Sequence, residues 1–243
     1  MSGKVGDDTV VLRRGRELII YDATRLGSGG ALEKLLSEDG EVLQGGRGVS
    51  VRIRCSSGDV IRRGYRRGGW MVFLGDRHLR TGWSQSRPIR EWRLLQALVR
   101  EGLPVPRPLV ARVSPWGIWY RGDIWMAAVP GVPLPEASQR TGGAGTGAAA
   151  LILGRVLRRL HDAGIDHPDL HVGNILVQDR GLGEDDYTIL DFDRARRRRS
   201  GRWCRRNLAR LHRSLHRLAL EGRMQEDWWK ALLAGYEGGQ GRR

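Results

Sequence analysis

Two neighbouring stretches decide the reading, "IDHPDLHVGNILV" at residues 165–177 and "TILDFD" at residues 188–193. In the first, Asp169 precedes Asn174 by five residues, and Ile175, Leu176 and Val177 close the stretch. In the second, Asp191 stands at the end of the apolar run Ile189-Leu190. Short apolar runs bounded by polar residues predict buried strands, here Asn174 to Gln178 and Tyr187 to Leu190. If the two strands pair as a hairpin, an acid, an amide and a second acid converge at one rim.

Phosphoryl transfer from ATP needs such a set. One carboxylate orients the acceptor hydroxyl and takes its proton, while an amide oxygen and a second carboxylate hold magnesium (Mg2+) against the phosphates. The chain writes H-P-D-x-x-x-x-N and D-F-D where protein kinases write H-R-D-x-x-x-x-N and D-F-G. Either motif alone equally suits a turn whose Asp and Asn bond local backbone. Both in this order, behind an amphipathic helix carrying Leu153, Val156, Leu157 and Leu160, favour phosphotransfer. His161 and Asp162, at the end of that helix, read as structural, and His171 as facing water.

A nucleotide cradle belongs upstream. Gly45, Gly46, Arg47 and Gly48, ahead of alternating Val49, Val51 and Ile53, fit a glycine hairpin over phosphates, because backbone N–H groups can approach closely there. The next strand offers Arg62 or Arg63 as the phosphate-binding cation, and Glu91 is the only acid in "SRPIREWRLLQALVR" to pair with it. The alternative for Glu91 is a surface pair with Arg87 or Arg90.

Outward from these sites, residues 9–75 read as a small, mainly antiparallel β region, with runs at Val10–Leu12, Leu18–Ile20, Val49–Ile53 and Val60–Ile61. A helix follows, with Pro88 in its first turn, Trp92, Leu95, Leu98 and Val99 on one face, and Gly102 and Pro104 to end it. "LPVPRPLV" reads as an extended connector to a strand between Gly117 and Val129, and "SQRTGGAGTGAAA", residues 138–150, as a linker. The C-terminal part carries Leu208, Leu211, Leu215 and Leu218 beside a parallel stripe of Arg206, Arg210, Arg213 and Arg217.

Composition bounds the partners. The chain of 243 residues is 40% hydrophobic and has no run near the roughly 20 apolar residues of a membrane span. The N-terminus lacks a basic-then-apolar signal layout, which makes the cytoplasm the expected address. Cys55 and Cys204 are too few for a disulfide framework or a zinc site and read as reduced. A net charge of +15 predicts a polyanionic partner: nucleic acid, an anionic membrane or a phosphorylated substrate.

The stretches "GGRG", "VIRRGYRRGG", "REWRLLQALVREGLPVPRPLVAR", "HPDLHVGNILV", "ILDFDRAR" and "NLARLHRSL", spread over residues 45–216, resemble the 3-deoxy-D-manno-octulosonic acid (Kdo) kinases of Gram-negative bacteria, relatives of the lipopolysaccharide core heptose kinases. The resemblance implies an α+β, two-lobed protein-kinase-like fold. Its β-rich nucleotide-binding lobe is expected at 1–130, and its helical catalytic and acceptor-binding lobe at 131–243. It also implies ATP-dependent phosphorylation of a Kdo hydroxyl, by family habit the 4-OH, on a Kdo-lipid A precursor. By the same resemblance Asp169 is the base, Asn174 and Asp191 are metal ligands, and Arg62 stands where other kinases have a phosphate-binding lysine. Gly64 and the long run Arg196 to Arg199 depart from the family pattern.

Between Arg194 and Arg206 there are eight arginines, directly after the metal loop. Arginine forks match carboxylates and phosphates, so Arg194, Arg196, Arg197, Arg198, Arg199 and Arg202 are candidates for the acceptor and for an anionic inner-membrane surface. The expected location is peripheral, on the cytoplasmic face of the inner membrane. Trp203, Trp228 and Trp229 suit either the lipid interface or the core. Two other readings compete. A kinase of soluble molecules or proteins predicts turnover without lipid. A nucleic-acid-binding protein would explain the charge but not the Asp-Asn-Asp trio, so no nucleic-acid partner is expected.

Overall fold

Alternating apolar residues between tight turns build most of the first half of the chain into one antiparallel sheet. The structure, a computed structural model, describes residues 2–4, 9–27, 30–43, 50–65, 78–79, 85–116, 119–139, 144–179, 181–220 and 227–239. The chain divides into two units, one of residues 1–97 and 107–128, the other of residues 98–106 and 129–243.

The first unit contains β1 (Ser2–Lys4), β2 (Thr9–Arg14), β3 (Glu17–Asp22), α1 (Ala23–Leu26), α2 (Gly30–Ser37), β4 (Glu41–Leu43), β5 (Ser50–Ile53), β6 (Val60–Gly64), β7 (His78–Leu79), most of α3 (Arg87–Arg100), β8 (Pro108–Trp116) and β9 (Trp119–Ala127). The strand order is β1-β2-β3-β8-β9-β6-β5-β4, with β7 also on β9. Ile19, Val51, Ile53, Val60, Val110 and Trp125 on the strands pack with Leu26, Leu32 and Leu35 of α1 and α2. These two helices were not foreseen in the mainly antiparallel β region expected over 9–75. "ALEKLLS" is composed of strong helix formers, and its buried Leu32 and Leu35 recur at helical spacing. Asp22 caps α1 by accepting the Thr24 N–H at 3.1 Å. The connector expected at 103–110 in fact enters β8 at Pro108.

Helix α3 is held where β9 makes room for it. A Cβ on Gly122 would overlap the Pro88 ring, and the Arg87 N–H donates to the Tyr120 hydroxyl at 3.0 Å. Ile89, Trp92 and Leu95 bury its apolar face. Gly102, with φ +68, closes the helix, and the Leu103 N–H reaches Leu98 O at 3.0 Å.

The second unit contains β10 (Val132–Pro133), α4 (Leu134–Ala137), α5 (Gly147–Asp162), β11 (Ile165–Asp166), β12 (Ile175–Val177), β13 (Tyr187–Ile189), β14 (Arg196–Arg197), α6 (Trp203–Leu220) and α7 (Trp228–Gly238). The predicted hairpin is β12–β13, and β10 joins it as an unforeseen third strand. A second small sheet pairs β11 with β14. Thr146 caps α5, within the stretch expected to be a linker. Leu153, Val156, Leu157 and Leu160 are fully buried. Helices α5 and α7 meet backbone to backbone: a Cβ on Gly154 would strike Leu232 O, and one on Gly235 would strike Leu151 O. The close crossing seats Trp228 and Leu232 in the core.

Candidate active site

In the second unit the two motif stretches form one hydrogen-bonded assembly. Ile175 pairs with Ile189 across β12–β13, and one step further along Asn174 O accepts the Leu190 N–H at 2.8 Å. Asn174 and Asp191 therefore leave the hairpin at the same end. Asn174 Nδ2 donates to Asp169 O at 2.9 Å, which ties the loop to the hairpin and leaves the amide oxygen as the atom that could ligate a metal. Asp191 adopts φ +64, a left-handed conformation that Asp tolerates better than most residues, and it turns the chain out of the strand. Phe192 drops into the core behind it, edge-on to His167 with ring centroids 4.9 Å apart.

His167 is buried, and burial pushes its pKa down, so the ring is neutral. Its Nε2–H donates to Leu190 O at 2.9 Å, joining the loop to the residue before Asp191. The other side of the loop is gripped by Asn207 of α6, itself buried. The amide is assigned with Nδ2 toward the acceptors around it, donating to His167 O at 3.0 Å and to Asp166 Oδ1 at 3.2 Å, while Oδ1 accepts the His167 N–H at 2.9 Å. His161 Nε2 lies 3.5 Å from the same amide, and His161 Nδ1 meets the Tyr236 hydroxyl at 2.7 Å. Burial lowers the His161 pKa to about 4 and raises that of Tyr236 to about 12, so Tyr236 donates to a neutral ring. His161 is thus structural, as its sequence position suggests. His171 is not simply turned to water, since its Nδ1 caps the following turn by accepting the Gly173 N–H at 3.1 Å.

Asp169 differs from its neighbours. Its backbone is locked by Asn174, yet its side chain is 36% exposed and can meet a substrate. Arg210 of α6 brings Nη1 to 4.0 Å from Asp169 Oδ1. Hard oxygen donors from Asn174 and Asp191 suit Mg2+, which takes one or two protein ligands and completes its shell with water and phosphate. Among the described residues no group of three or more His, Cys, Asp or Glu converges on a metal position.

In the first unit the acid expected to meet a strand arginine does so, and the arginine is Arg63. Its Nη2 donates to Glu91 Oε1 at 2.6 Å and also to Oε2, and the Tyr65 hydroxyl donates to Oε2 as well. Glu91 is buried, and the Arg63 guanidinium sits 5.3 Å from the Tyr65 ring centroid. Neighbouring residues on a strand face opposite ways. Arg62 therefore shares its face with Val60 and lies opposite Val51 and Trp125, all members of the core on the α2 side. Only one of the two arginines can turn to α3. Gly64 continues the strand, paired with Asp123. Gly45, Gly46, Arg47 and Gly48 lie outside the described residues.

The arginine segment separates into two populations. Arg197 pairs with Glu101 at 2.5 Å, and Arg198 pairs with the buried Asp166 at 3.2 Å, so both anchor β14 beside β11. Arg194, Arg196, Arg199 and Arg202 are exposed. Trp203 and Trp228 are core residues, their indole N–H groups donating to Arg199 O at 2.7 Å and Ala144 O at 2.9 Å. Neither can serve as a lipid anchor. Trp229 is half-buried against His212. Sequence reasoning missed Asn207, Arg210 and the capping role of His171. Asn207 and Arg210 lie within "NLARLHRSL", a stretch conspicuous in the sequence without any role being legible in it.

With the geometry in hand, comparison with known proteins is specific. The model of the lipopolysaccharide kinase (Kdo/WaaP) family matches residues 35–236. A protein from Xanthomonas campestris pv. campestris (strain B100) named 3-deoxy-D-manno-octulosonic acid kinase is 38% identical over 222 residues, covering 88% of this chain and 86% of that one. Proteins of the same name from Xylella fastidiosa (strain 9a5c) and Vibrio parahaemolyticus are 39% and 32% identical. They cover 72% and 76% of this chain and 68% and 75% of their own lengths. A solved structure titled "WaaP in complex with acyl carrier protein" superposes with a TM-score of 0.59 at 18% identity, covering 89% of this chain and 86% of that one. At that identity it speaks for the fold alone, which is protein-kinase-like.

Proposed function

The chain belongs to the lipopolysaccharide kinase (Kdo/WaaP) family, and on that premise we propose that it phosphorylates a hydroxyl of Kdo, the 4-OH, on a Kdo-lipid A precursor. The observation that carries this reading is the Asp169–Asn174–Asp191 hairpin assembly, lying within the family-matched region. ATP supplies the phosphoryl group. The half-exposed Asp169 carboxylate orients the acceptor hydroxyl and takes its proton as that oxygen bonds to the γ-phosphorus and the bond to the β-phosphate bridge breaks, releasing ADP. Asn174 and Asp191 are the residues that would hold Mg2+ against the phosphates, where the cation supplies charge neutralisation. Arg63, fixed by Glu91 and Tyr65, is the cation for the nucleotide phosphates, and Gly45 to Gly48 are the backbone cradle.

The enzyme works peripherally at the cytoplasmic face of the inner membrane. Supporting this are the +15 charge and the exposed Arg194, Arg196, Arg199 and Arg202, each cation near an anionic leaflet being worth on the order of 1 kcal/mol. Among the described residues no helix is long and apolar enough to cross a membrane.

The test is transfer of labelled γ-phosphate from Mg-ATP to a Kdo-bearing lipid A precursor. Wild type transfers label to the Kdo 4-OH, and Asp169→Asn loses roughly 10²- to 10⁴-fold in kcat while folding normally. Transfer to soluble acceptors only, with none to the lipid, would overturn the substrate.

A further inference from the structure

The arginine stripe of α6 is the largest feature that the catalytic scheme leaves unused. From Arg194 to Leu220 the chain contains no acid. At 100° per residue Arg206, Arg210, Arg213 and Arg217 fall within about 60° of one another, and they span roughly 16 Å of helix. All four are exposed, on the flank of α6 beside the buried face that carries Asn207, Leu211 and Leu215. Ser214, between stripe and core, accepts the Val172 N–H of the catalytic loop at 3.2 Å, so this flank adjoins the loop. Arg210 alone of the four is drawn to an acid, and that acid is Asp169, at a distance too long for a hydrogen bond. Among the described residues Arg206, Arg213 and Arg217 take part in no ion pair.

A row of guanidinium groups that passes the catalytic carboxylate at Arg210 has a chemical reading. A carboxylate base next to an anionic acceptor repels it, and a cation between the two removes that repulsion while fixing the acceptor's orientation bidentately. We propose that α6 is the acceptor-reading helix, with Arg210 binding the carboxylate of the sugar acid whose hydroxyl faces Asp169, and Arg206, Arg213 and Arg217 binding further anionic groups of the same acceptor. This rests on the Kdo reading above and adds to it the subsite that selects an acid sugar over a neutral one. It moves acceptor recognition from the segment Arg194–Arg202, part of which is tied to Glu101 and Asp166, to the helix that follows.

The experiment compares a Kdo-bearing lipid A precursor with the same acceptor whose Kdo carboxyl groups are methyl esters, in wild type, Arg210→Gln, Arg210→Lys and Arg205→Gln. Both steady-state transfer and direct binding of the acceptor in detergent micelles are measured. In wild type, esterification raises the acceptor KM at least tenfold. Arg210→Gln raises the KM for the acid to the same degree, leaves the KM for Mg-ATP in place and no longer distinguishes acid from ester, and Arg210→Lys recovers part of the discrimination. Arg205, on the same helix outside the stripe, controls for loss of charge. Equal acid-to-ester ratios in wild type and Arg210→Gln, or an equal rise in KM from Arg205→Gln, would overturn the proposal while leaving the Kdo reading intact. Wild type that neither binds nor phosphorylates the acid acceptor would bring down both.

Discussion

The loop from Asp166 to Asn174 and the arginine stripe of α6 touch at Asp169 and Arg210, yet they are built on opposite plans. In the loop the groups that fasten it are turned inward: His167 to Leu190 O, Asn174 to Asp169 O, and the His167 backbone to Asn207. On the stripe the charges stand in water with few internal partners. Buried polar groups must be satisfied within the protein, and a satisfied network is rigid. Exposed arginines cost little to leave unpaired and are free to take a ligand. The contrast separates two tasks. On the proposed reading, holding a base in place requires groups that have no other use, whereas reading an acceptor requires groups that are not yet used.

The strongest way to break this contrast is to empty the clamp. Asn207→Leu keeps a side chain of similar length but leaves the His167 N–H, the His167 carbonyl and Asp166 Oδ1 without that partner inside the core. The His167 carbonyl keeps the Leu170 N–H at 3.1 Å, but the His167 N–H and Asp166 Oδ1 do not regain a donor or acceptor, and unsatisfied buried groups cost about 1–3 kcal/mol each, so the expected loss is roughly 3 kcal/mol of unfolding free energy, with a lower kcat and a nearly unchanged acceptor KM. Chemical denaturation and steady-state kinetics on one preparation measure both. A loss under about 1 kcal/mol would mean that the loop holds itself and α6 merely packs against it.

Much of this was legible from sequence and some was not, for physical reasons. The β12–β13 hairpin with Asn174 and Asp191 at one end was readable because a strand pair fixes which residues emerge together. Helix α3 was readable from Pro88, its apolar spacing and Gly102. The identity of the arginine on Glu91 was not. Adjacent strand residues face opposite sides, and the register that turns Arg63 rather than Arg62 to α3 is set by pairing with β5 and β9, far away in sequence. Asn207 was invisible for a similar reason: an amide in a helix acquires meaning only when the backbone of residues 166–167 arrives beside it. Helices α1 and α2 were missed although their composition announced them, because the flanking β-branched runs dominated the reading. Counting arginines treated Arg197 and Arg198 as equivalent to their neighbours, whereas Glu101 and Asp166 set those two apart.

Acid sharpens the same comparison at intermediate scale. His161 has its folded pKa lowered to about 4 by burial, from an ordinary value of 6.5. A histidine depressed in this way takes up its proton more readily unfolded. Its contribution to stability is therefore fully present above about pH 6.5 and is lost as pH falls toward 4. At about 1.4 kcal/mol per unit the window is worth on the order of 3 kcal/mol. His167, also lowered by burial, acts in the same direction. Denaturant midpoints should fall steadily between pH 6.5 and 4.5, and His161→Gln should flatten part of that fall; an unchanged slope in the variant would remove His161 as its source.

The smallest effect belongs to the outer ion pairs. Arg197 and Glu101 approach at 2.5 Å, but their side chains are 49% and 39% exposed. Water and salt screen such a pair, and ordering two long side chains offsets most of the Coulomb gain, which leaves about 0–1 kcal/mol. The β11–β14 register does not depend on it alone, because the Arg198 N–H also donates to Gly164 O at 2.7 Å. Arg197→Gln is therefore expected to shift stability by less than about 1 kcal/mol, with the difference shrinking further in 0.5 M salt. A larger, salt-insensitive loss would place Arg197 with the buried loop rather than with the surface, and the boundary between the two plans would then run through β14.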